Sequence, residues 1–262
     1  MPHISVIVPA LNEEKYIKNL LASLKKQNFR DFDIIVVDGG STDETVAISK
    51  AFGASTLVLP NVKEFPSRNK AAEIAACEIL LFTGADVIFP DKLLHNITER
   101  FKDPKLIAVA GPGIPYDTSF VYRTEFFLYN CVRFFFAHLP GSLHRFSSST
   151  NLLGVRKSVF IELGGLDPDD VNADGMLGRK LGKKGKVWFS FFKIKAYTSA
   201  RRIESMGGWT FNLHFIYVLE NFFPFLSKSS LIQKVKNKSG QNHSDMRKAT
   251  SKEISTERYS NK

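Results

Sequence analysis

Acidic residues in this chain recur at the ends of apolar runs. Ile79-Leu80-Leu81-Phe82-Thr83-Gly84-Ala85-Asp86 has the length of a strand and closes in Thr and Gly before one carboxylate. A strand buried on both faces that releases an acid at its C-terminal end is where open α/β sheets place ligand chemistry. An oxygen ligand of this kind suits a hard cation, Mg²⁺ or Mn²⁺, holding a diphosphate. An Asp serving only as a turn former is the plainer alternative. Two more strand-like runs end in the same way, Ile4–Val8 before Asn12-Glu13 and Asp33–Val37 before Asp38 and Asp43. Near the other end of the chain Arg201-Arg202 follows a strand-like stretch from Lys193 to Ser199. Paired guanidinium groups bind phosphate oxygens in bidentate fashion and can neutralise a departing diphosphate. A surface basic pair is the alternative reading.

The elements that must position these residues can be read from apolar spacing. Strands are expected at Ile4–Val8, Asp33–Val37, Ala54–Leu59, Ile79–Asp86, Leu106–Ala110 and Leu152–Val155. Helices are expected after Asn12, with Ile17, Leu20, Leu21 and Leu24 as the buried stripe, and at Thr45–Ala51, Ser67–Cys77, Asp91–Phe101 and Arg156–Leu163. Asn12 suits the N-cap of the first helix, and Ser41 or Asp43 that of the second. Ala71, Ala72, Ala75 and Ala76 suit close packing of the third on the sheet. Alternating strands and helices of this size argue α/β architecture, a mostly parallel sheet with helices on both faces.

Composition bounds the rest. The chain has 262 residues, 44% hydrophobic and 24% charged, enough for one large domain or two small ones. Net charge is +10, yet residues 228–262 carry nine Lys/Arg against three Asp/Glu, so the tail holds most of the excess. Nucleic-acid binding by the remainder is not indicated. The tail is polar and Ser- and Lys-rich, the composition of a disordered segment. Cys77 and Cys131 lack metal-ligand spacing and read as buried free thiols. Residues 1–8 lack a charged segment followed by an apolar one and no uncharged apolar run of about 18 residues occurs, so neither a signal peptide nor a transmembrane helix is expected. Phe, with 23 residues, is concentrated after position 119. Ser119–Leu139 is an aromatic helix-like stretch whose Arg123, Glu125 and Arg133 argue against a simple membrane span. Trp209–Leu226 is a second such stretch. Either packs on the core or meets a membrane surface, toward which the basic tail would be drawn.

Four motifs in order, Val8-Pro9-Ala10-Leu11-Asn12-Glu13-Glu14, Val37-Asp38-Gly39-Gly40-Ser41-Thr42-Asp43, Leu81 to Asp86, and Gly164-Gly165-Leu166-Asp167 followed by Ala173-Asp174, resemble a family 2 glycosyltransferase of the GT-A fold. The likeness runs from Ile4 to about Gly208. Val37–Ser41 and Tyr197–Arg202 look most like a branch of soluble bacterial and archaeal enzymes. The resemblance implies a GT-A domain over residues 1–227, with a nucleotide-binding half (1–110) and an acceptor half (111–227). It implies an inverting transfer of sugar from a UDP- or GDP-linked donor to a glycan hydroxyl or a lipid phosphate. Pro9, Asn12, Glu13 and Asp38 match positions that cradle the base and ribose. Arg68 and Lys70 stand where a basic residue often meets base or phosphate, or else on a solvated helix face. Asp86 matches the metal-binding carboxylate, with Ala85 beside it at the donor. Asp174 matches the general base, backed by Asp169 and Asp170, or else merely caps a helix. The sequence departs from the family pattern twice, with Gly84 and Ala173 where acids are usual. Those losses leave a catalytically degenerate nucleotide binder or membrane adaptor as the rival reading. A dehydrogenase is disfavoured, since no Gly-x-Gly-x-x-Gly follows the first strand. A nucleotidyltransferase is disfavoured by the acidic, Gly-free loop there. The implied location is cytoplasmic, with a peripheral contact at the inner face of the plasma membrane.

Overall fold

The computed structural model describes residues 4–140, 144–170, 172–201 and 223. Arg202, the Trp209–Leu226 stretch apart from Phe223, and the basic tail lie outside the described residues.

Among the described residues ten strands and seven helices follow one another, for the most part alternating. They begin β1 (Ile4–Ala10), α1 (Glu14–Lys25), β2 (Phe32–Asp38), α2 (Thr45–Ala51), β3 (Ser55–Val58), α3 (Glu64–Ile74), β4 (Ile79–Phe82) and β5 (Val87–Ile88). They continue α4 (Leu93–Phe101), β6 (Leu106–Ala110), β7 (Gly113–Pro115), α5 (Phe120–Ala137), β8 (Leu153–Arg156), α6 (Lys157–Glu162), α7 (Ala173–Lys184), β9 (Lys186–Phe189) and β10 (Ala196–Thr198). Seven strands form one sheet in the order β3-β2-β1-β4-β8-β6-β9, and β5-β10-β7 form a small second one. β8 runs antiparallel to both of its neighbours, and the other pairs of the large sheet are parallel.

The central strands are mostly apolar on both faces because both faces are covered. The two-residue period divides them between two cores. Ile4, Val6 and Val8 of β1 face the α1 stripe of Ile17, Leu20, Leu21 and Leu24, together with Leu94 and Ile97 of α4. Ile7 faces the other way with Leu80 and Phe82 of β4, against Ala71 and Ala72 of α3 and Leu177 and Leu181 of α7. The result is a three-layer α/β molecule with helices on both faces, as the apolar pattern requires.

Several boundaries differ from the sequence reading. α3 begins at Glu64, because Pro66 is tolerated in a first turn, and Ala76 beyond its end is exposed. β4 stops at Phe82, where its pairing with Leu153 of β8 ends. Residues 83–86 then carry the chain across to β5 in the second sheet. Asp86 therefore sits at the switch between the two sheets rather than on a strand. Cys77 is buried, but Cys131 is only half-buried.

Candidate functional site

The C-terminal ends of β1 and β2 lie side by side, with Pro9 opposite Val37 and Ala10 opposite Asp38. Asn12 has a left-handed φ of 54° and does not cap α1. Its N–H donates to Ser41 Oγ (2.8 Å) and its Oδ1 accepts from Thr42 N–H (2.9 Å), which ties the two loops together. Glu13 holds the N-cap position with no side-chain cap bond. Asp43 does serve the start of α2, where its Oδ1 accepts from Thr45 N–H (3.0 Å). Asp38 is fully buried. Its carboxylate accepts from the N–H groups of Gly40 (2.9 Å) and Ser41 (2.8 Å) and from the Ser41 hydroxyl. Asp38 thus turns inward and shapes the loop, whereas the sequence suggested a carboxylate offered to a base or ribose. Gly40 makes that turn possible with φ 98°.

Asp86, on the inter-sheet crossing, is buried. Its carbonyl accepts from Ser199 N–H (3.1 Å), and β10 pairs antiparallel with β5 immediately beyond. This pairing delivers Arg201, 115 positions away in sequence, onto the acid. Arg201 Nε donates to Asp86 Oδ2 (3.2 Å), and Nη2 donates to both oxygens of Glu13 (2.6 and 2.7 Å). The guanidinium also lies 4.2 Å from the centre of the Tyr16 ring, a cation–π contact. Asp117 fixes the approach by accepting from the Ser199 hydroxyl and from Ala200 N–H. One arginine therefore joins the loop after β1 to Asp86.

While Arg201 occupies Glu13 and Asp86, the oxygen donors left at this point fit a divalent cation only when a substrate completes the shell. Among the described residues no group of three or more His, Cys, Asp or Glu could hold a metal. A Cβ built on Gly84 would lie 2.9 Å from Asp86 Oδ1 and 3.2 Å from Asn151 Oδ1. The missing side chain therefore leaves a gap bordered by two hard oxygens. Mg²⁺ and Mn²⁺ commonly take one or two carboxylates and obtain the rest from phosphates and water.

Asp174 occupies the first turn of α7. Gly178 lets that helix press on the 146–148 backbone, since a Cβ there would meet Ser148 N at 2.5 Å. Asp174 Oδ2 accepts from Thr150 N–H (3.2 Å) and Oδ1 from Gly175 N–H (2.8 Å). Burial raises its carboxyl above the ordinary value, while those two N–H groups and the Arg68 charge pull it down. Thr150 and Asn151 are adjacent, so Asp174 and Asp86 flank one short segment.

Arg68 is fully buried, not on a solvated face. It pairs with Glu64 (2.6 Å) and donates to the carbonyls of Thr83 (3.2 Å) and Thr150 (3.4 Å). It braces the β4 exit against the segment that carries Asp174's partner. Lys70 is exposed and pairs with Glu73 (2.8 Å), so the fold does not bring it to the other candidates. Ala85 is buried beside Asp86, and Pro9 is half-buried on β1. Asp169 is exposed, while Asp170 accepts from Asn172 N–H (2.9 Å) in the turn before α7. Tyr16, Asp117, Thr150, Asn151 and Arg133 were not expected here. Arg133 is buried, donates to the Ser147 carbonyl (3.2 and 3.0 Å), and its charge interacts with Asp174. The spacing of Arg68 from Ala71, Ala72 and Ala75 puts it on their buried stripe, a signal in the sequence that neither the phosphate reading nor the solvated-face reading used.

A family model described as Glycosyl transferase family 2 matches residues 5–164. The poly(ribitol-phosphate) beta-N-acetylglucosaminyltransferase TarS of Staphylococcus aureus strain Mu50 is 36% identical over 130 residues, 44% of this chain and 23% of TarS. The O-antigen chain rhamnosyltransferase RfbN of Salmonella typhimurium is 25% identical over 183 residues, 66% of this chain and 58% of RfbN. The chain thus spans less than two thirds of either relative. Among solved structures, the mannosyltransferase PcManGT from Pyrobaculum calidifontis in complex with GDP-Man and Mn²⁺ aligns with a TM-score of 0.66 at 21% identity, over 87% of this chain and 65% of that one. S. aureus TarS 1-349 in complex with UDP-GlcNAc gives 0.61 at 18% identity, over 87% and 73%. At these identities the likeness bears on the fold, which is the GT-A arrangement.

Proposed function

Because the chain belongs to glycosyl transferase family 2, we propose that it transfers a sugar, with inversion, from a UDP- or GDP-linked donor to an acceptor hydroxyl. The observation that carries this reading is that Asp174 bonds Thr150 while Asp86, held by Arg201, and the adjacent Asn151 border the same gap at Gly84. The donor lies along the ends of β1 and β2, over the loops joined by Asn12. Asp86, with Asn151 beside it, holds Mn²⁺ or Mg²⁺, which when bound neutralises diphosphate charge. Arg201 exchanges carboxylate oxygens for phosphate oxygens and steadies the leaving group. Asp174 takes the acceptor proton as the acceptor oxygen bonds to the anomeric carbon and the bond to the diphosphate breaks. Its raised pKa brings the base closer to working pH. A lipid phosphate, already anionic, would need no such base.

The neighbours in complex with GDP-Man and with UDP-GlcNAc support the two donor classes. The test is thermal stability of the purified chain against UDP-, GDP-, CDP- and dTDP-sugars, each with Mn²⁺ and with EDTA, followed by product analysis with the donor that binds. A shift with one donor that EDTA abolishes, together with turnover, is expected. No shift with any donor would overturn the reading. Gly84 and Ala173, standing in place of acids, favour one rival, a nucleotide binder without catalysis. A shift without turnover across acceptors would select it.

A further inference from the structure

Helix α5 is amphipathic in reverse. Its buried side chains are Glu125, Asn130, Arg133 and Ala137. Asn130 donates to the Gly113 carbonyl (3.2 Å), and Arg133 is fixed on the Ser147 carbonyl with its guanidinium 4.7 Å from the Phe189 ring centre. The outer face carries Phe120, Val121, Phe127, Leu128, Val132 and Phe135, all exposed, with Phe120 at 82% and Phe135 at 59%. At 3.6 residues per turn these six fall within an arc of about 140°, and only Thr124 and Cys131 share it. Phe191 packs edge-on against Phe127 and Phe134, each 5.8 Å away, and places Phe192, 82% exposed, beside the stripe. An apolar surface of this continuity marks an interaction site.

The rim identifies the occupant. Arg123 and Lys193 are exposed around the stripe, with Lys195 and Arg145 half-buried nearby. From 118 to 140 and from 186 to 195 the sole acid is Glu125, and it is buried. A second copy on this face would set cations against cations, whereas an anionic lipid surface satisfies both the apolar stripe and its rim. Among the described residues no helix is long and apolar enough to cross a membrane, and the polar side of α5 is committed to the protein. We propose that α5 and Phe192 seat flat in the interface of an anionic bilayer. The inner face of the same helix holds Arg133 toward Asp174, so docking would bring the acceptor side of the site to the lipid surface. The docking itself does not depend on the transfer reading.

The experiment is flotation of the full chain with equimolar phosphatidylcholine–phosphatidylglycerol vesicles and with phosphatidylcholine alone. Strong flotation with the anionic vesicles, weakened by high salt, is expected. The triple variant Phe120→Ser/Leu128→Ser/Phe135→Ser should lose at least roughly tenfold in partitioning, since it removes three exposed apolar side chains from the stripe. A second variant, Arg123→Glu/Lys193→Glu, reverses two rim charges, removing besides them only an exposed bond from Arg123 to the Tyr116 carbonyl, and should lose binding to the anionic vesicles. Donor-induced thermal shifts should stay at the parent level in both, which separates this surface from the transfer site. No flotation of the parent chain, unchanged flotation of both variants, or a dimer that the triple variant dissolves without any vesicle binding would overturn the proposal.

Discussion

Replacing Arg201 with Ala should convert a guanidinium-occupied pair of carboxylates into a site that binds a cation without any nucleotide. In the parent, three charge-assisted hydrogen bonds hold Arg201 to Glu13 and Asp86. The arginine is 27% exposed, and the acids 12% and 9%, so screening is incomplete. Charge-assisted bonds contribute about 1.5–3 kcal/mol each, but shared groups do not add and the arginine is partly wet. A loss of about 2 kcal/mol is therefore expected, because two acids are left facing one another. For a domain of this size that lowers Tm by roughly 4–8 °C. Mn²⁺ at ten times its Kd would return about 1.4 kcal/mol, or roughly 3–6 °C. The parent, with its guanidinium still on both acids, should gain much less from Mn²⁺ alone. Arg201→Lys should fall between the two, since a single ammonium cannot reproduce the fork. Differential scanning fluorimetry with Mn²⁺ and with EDTA is sufficient to read these shifts. Equal Mn²⁺ shifts in parent and Arg201→Ala would refute the idea that arginine and cation compete for the same oxygens.

Asp174→Asn should cut turnover by roughly 10²–10⁴-fold while leaving the donor-induced thermal shift in place, measured by product formation beside fluorimetry. Burial raises this carboxyl in the folded state, so its contribution to stability is present below its ordinary value of 3.8 and lost as pH rises through the folded value. Asp174→Asn should therefore be more stable than the parent near pH 7, with the gain vanishing toward pH 4 in a pH series of melting curves. Gly84→Ala pushes its Cβ toward Asp86 Oδ1 and Asn151 Oδ1, and should weaken metal-dependent donor binding at least about tenfold by titration while the fold persists. Arg68→Met removes a donor from half-buried Glu64 and from two carbonyls and should cost about 1.5–3 kcal/mol in urea unfolding. Lys70→Ala, on the exposed side of the same helix, should cost under about 0.5 kcal/mol.

The large sheet was legible because burial on both faces writes itself as unbroken apolar runs. β4 and β6 are such runs, and β1 and β2 become so from Val6 and Ile34 onward. Strand direction leaves no such mark, so the antiparallel β8 could be located but not oriented. β5, β7 and β10 have two or three residues each, too few to display a period. They nonetheless decide the site, because the β5–β10 pairing sets Arg201 on Asp86. Residue type alone pointed both groups toward a diphosphate. That they pair with each other depends on a contact spanning 115 positions.

Helical spacing fared better where one side of the helix is unambiguous, and α3 and α5 show the difference. Arg68 shares its stripe with Ala71, Ala72 and Ala75, so small apolar neighbours predict its burial, whereas Lys70 falls off the stripe. In α5 both stripes are plain in the sequence, one aromatic and one carrying Glu125, Asn130 and Arg133. Periodicity reports that two faces exist and not which one meets the protein. That choice follows from the partners available inside. The Ser147 and Gly113 carbonyls await donors, and Phe189 offers a ring face to a guanidinium. A helix that satisfies those groups must turn its phenylalanines outward. The cost of exposing them to water is what a lipid interface would remove.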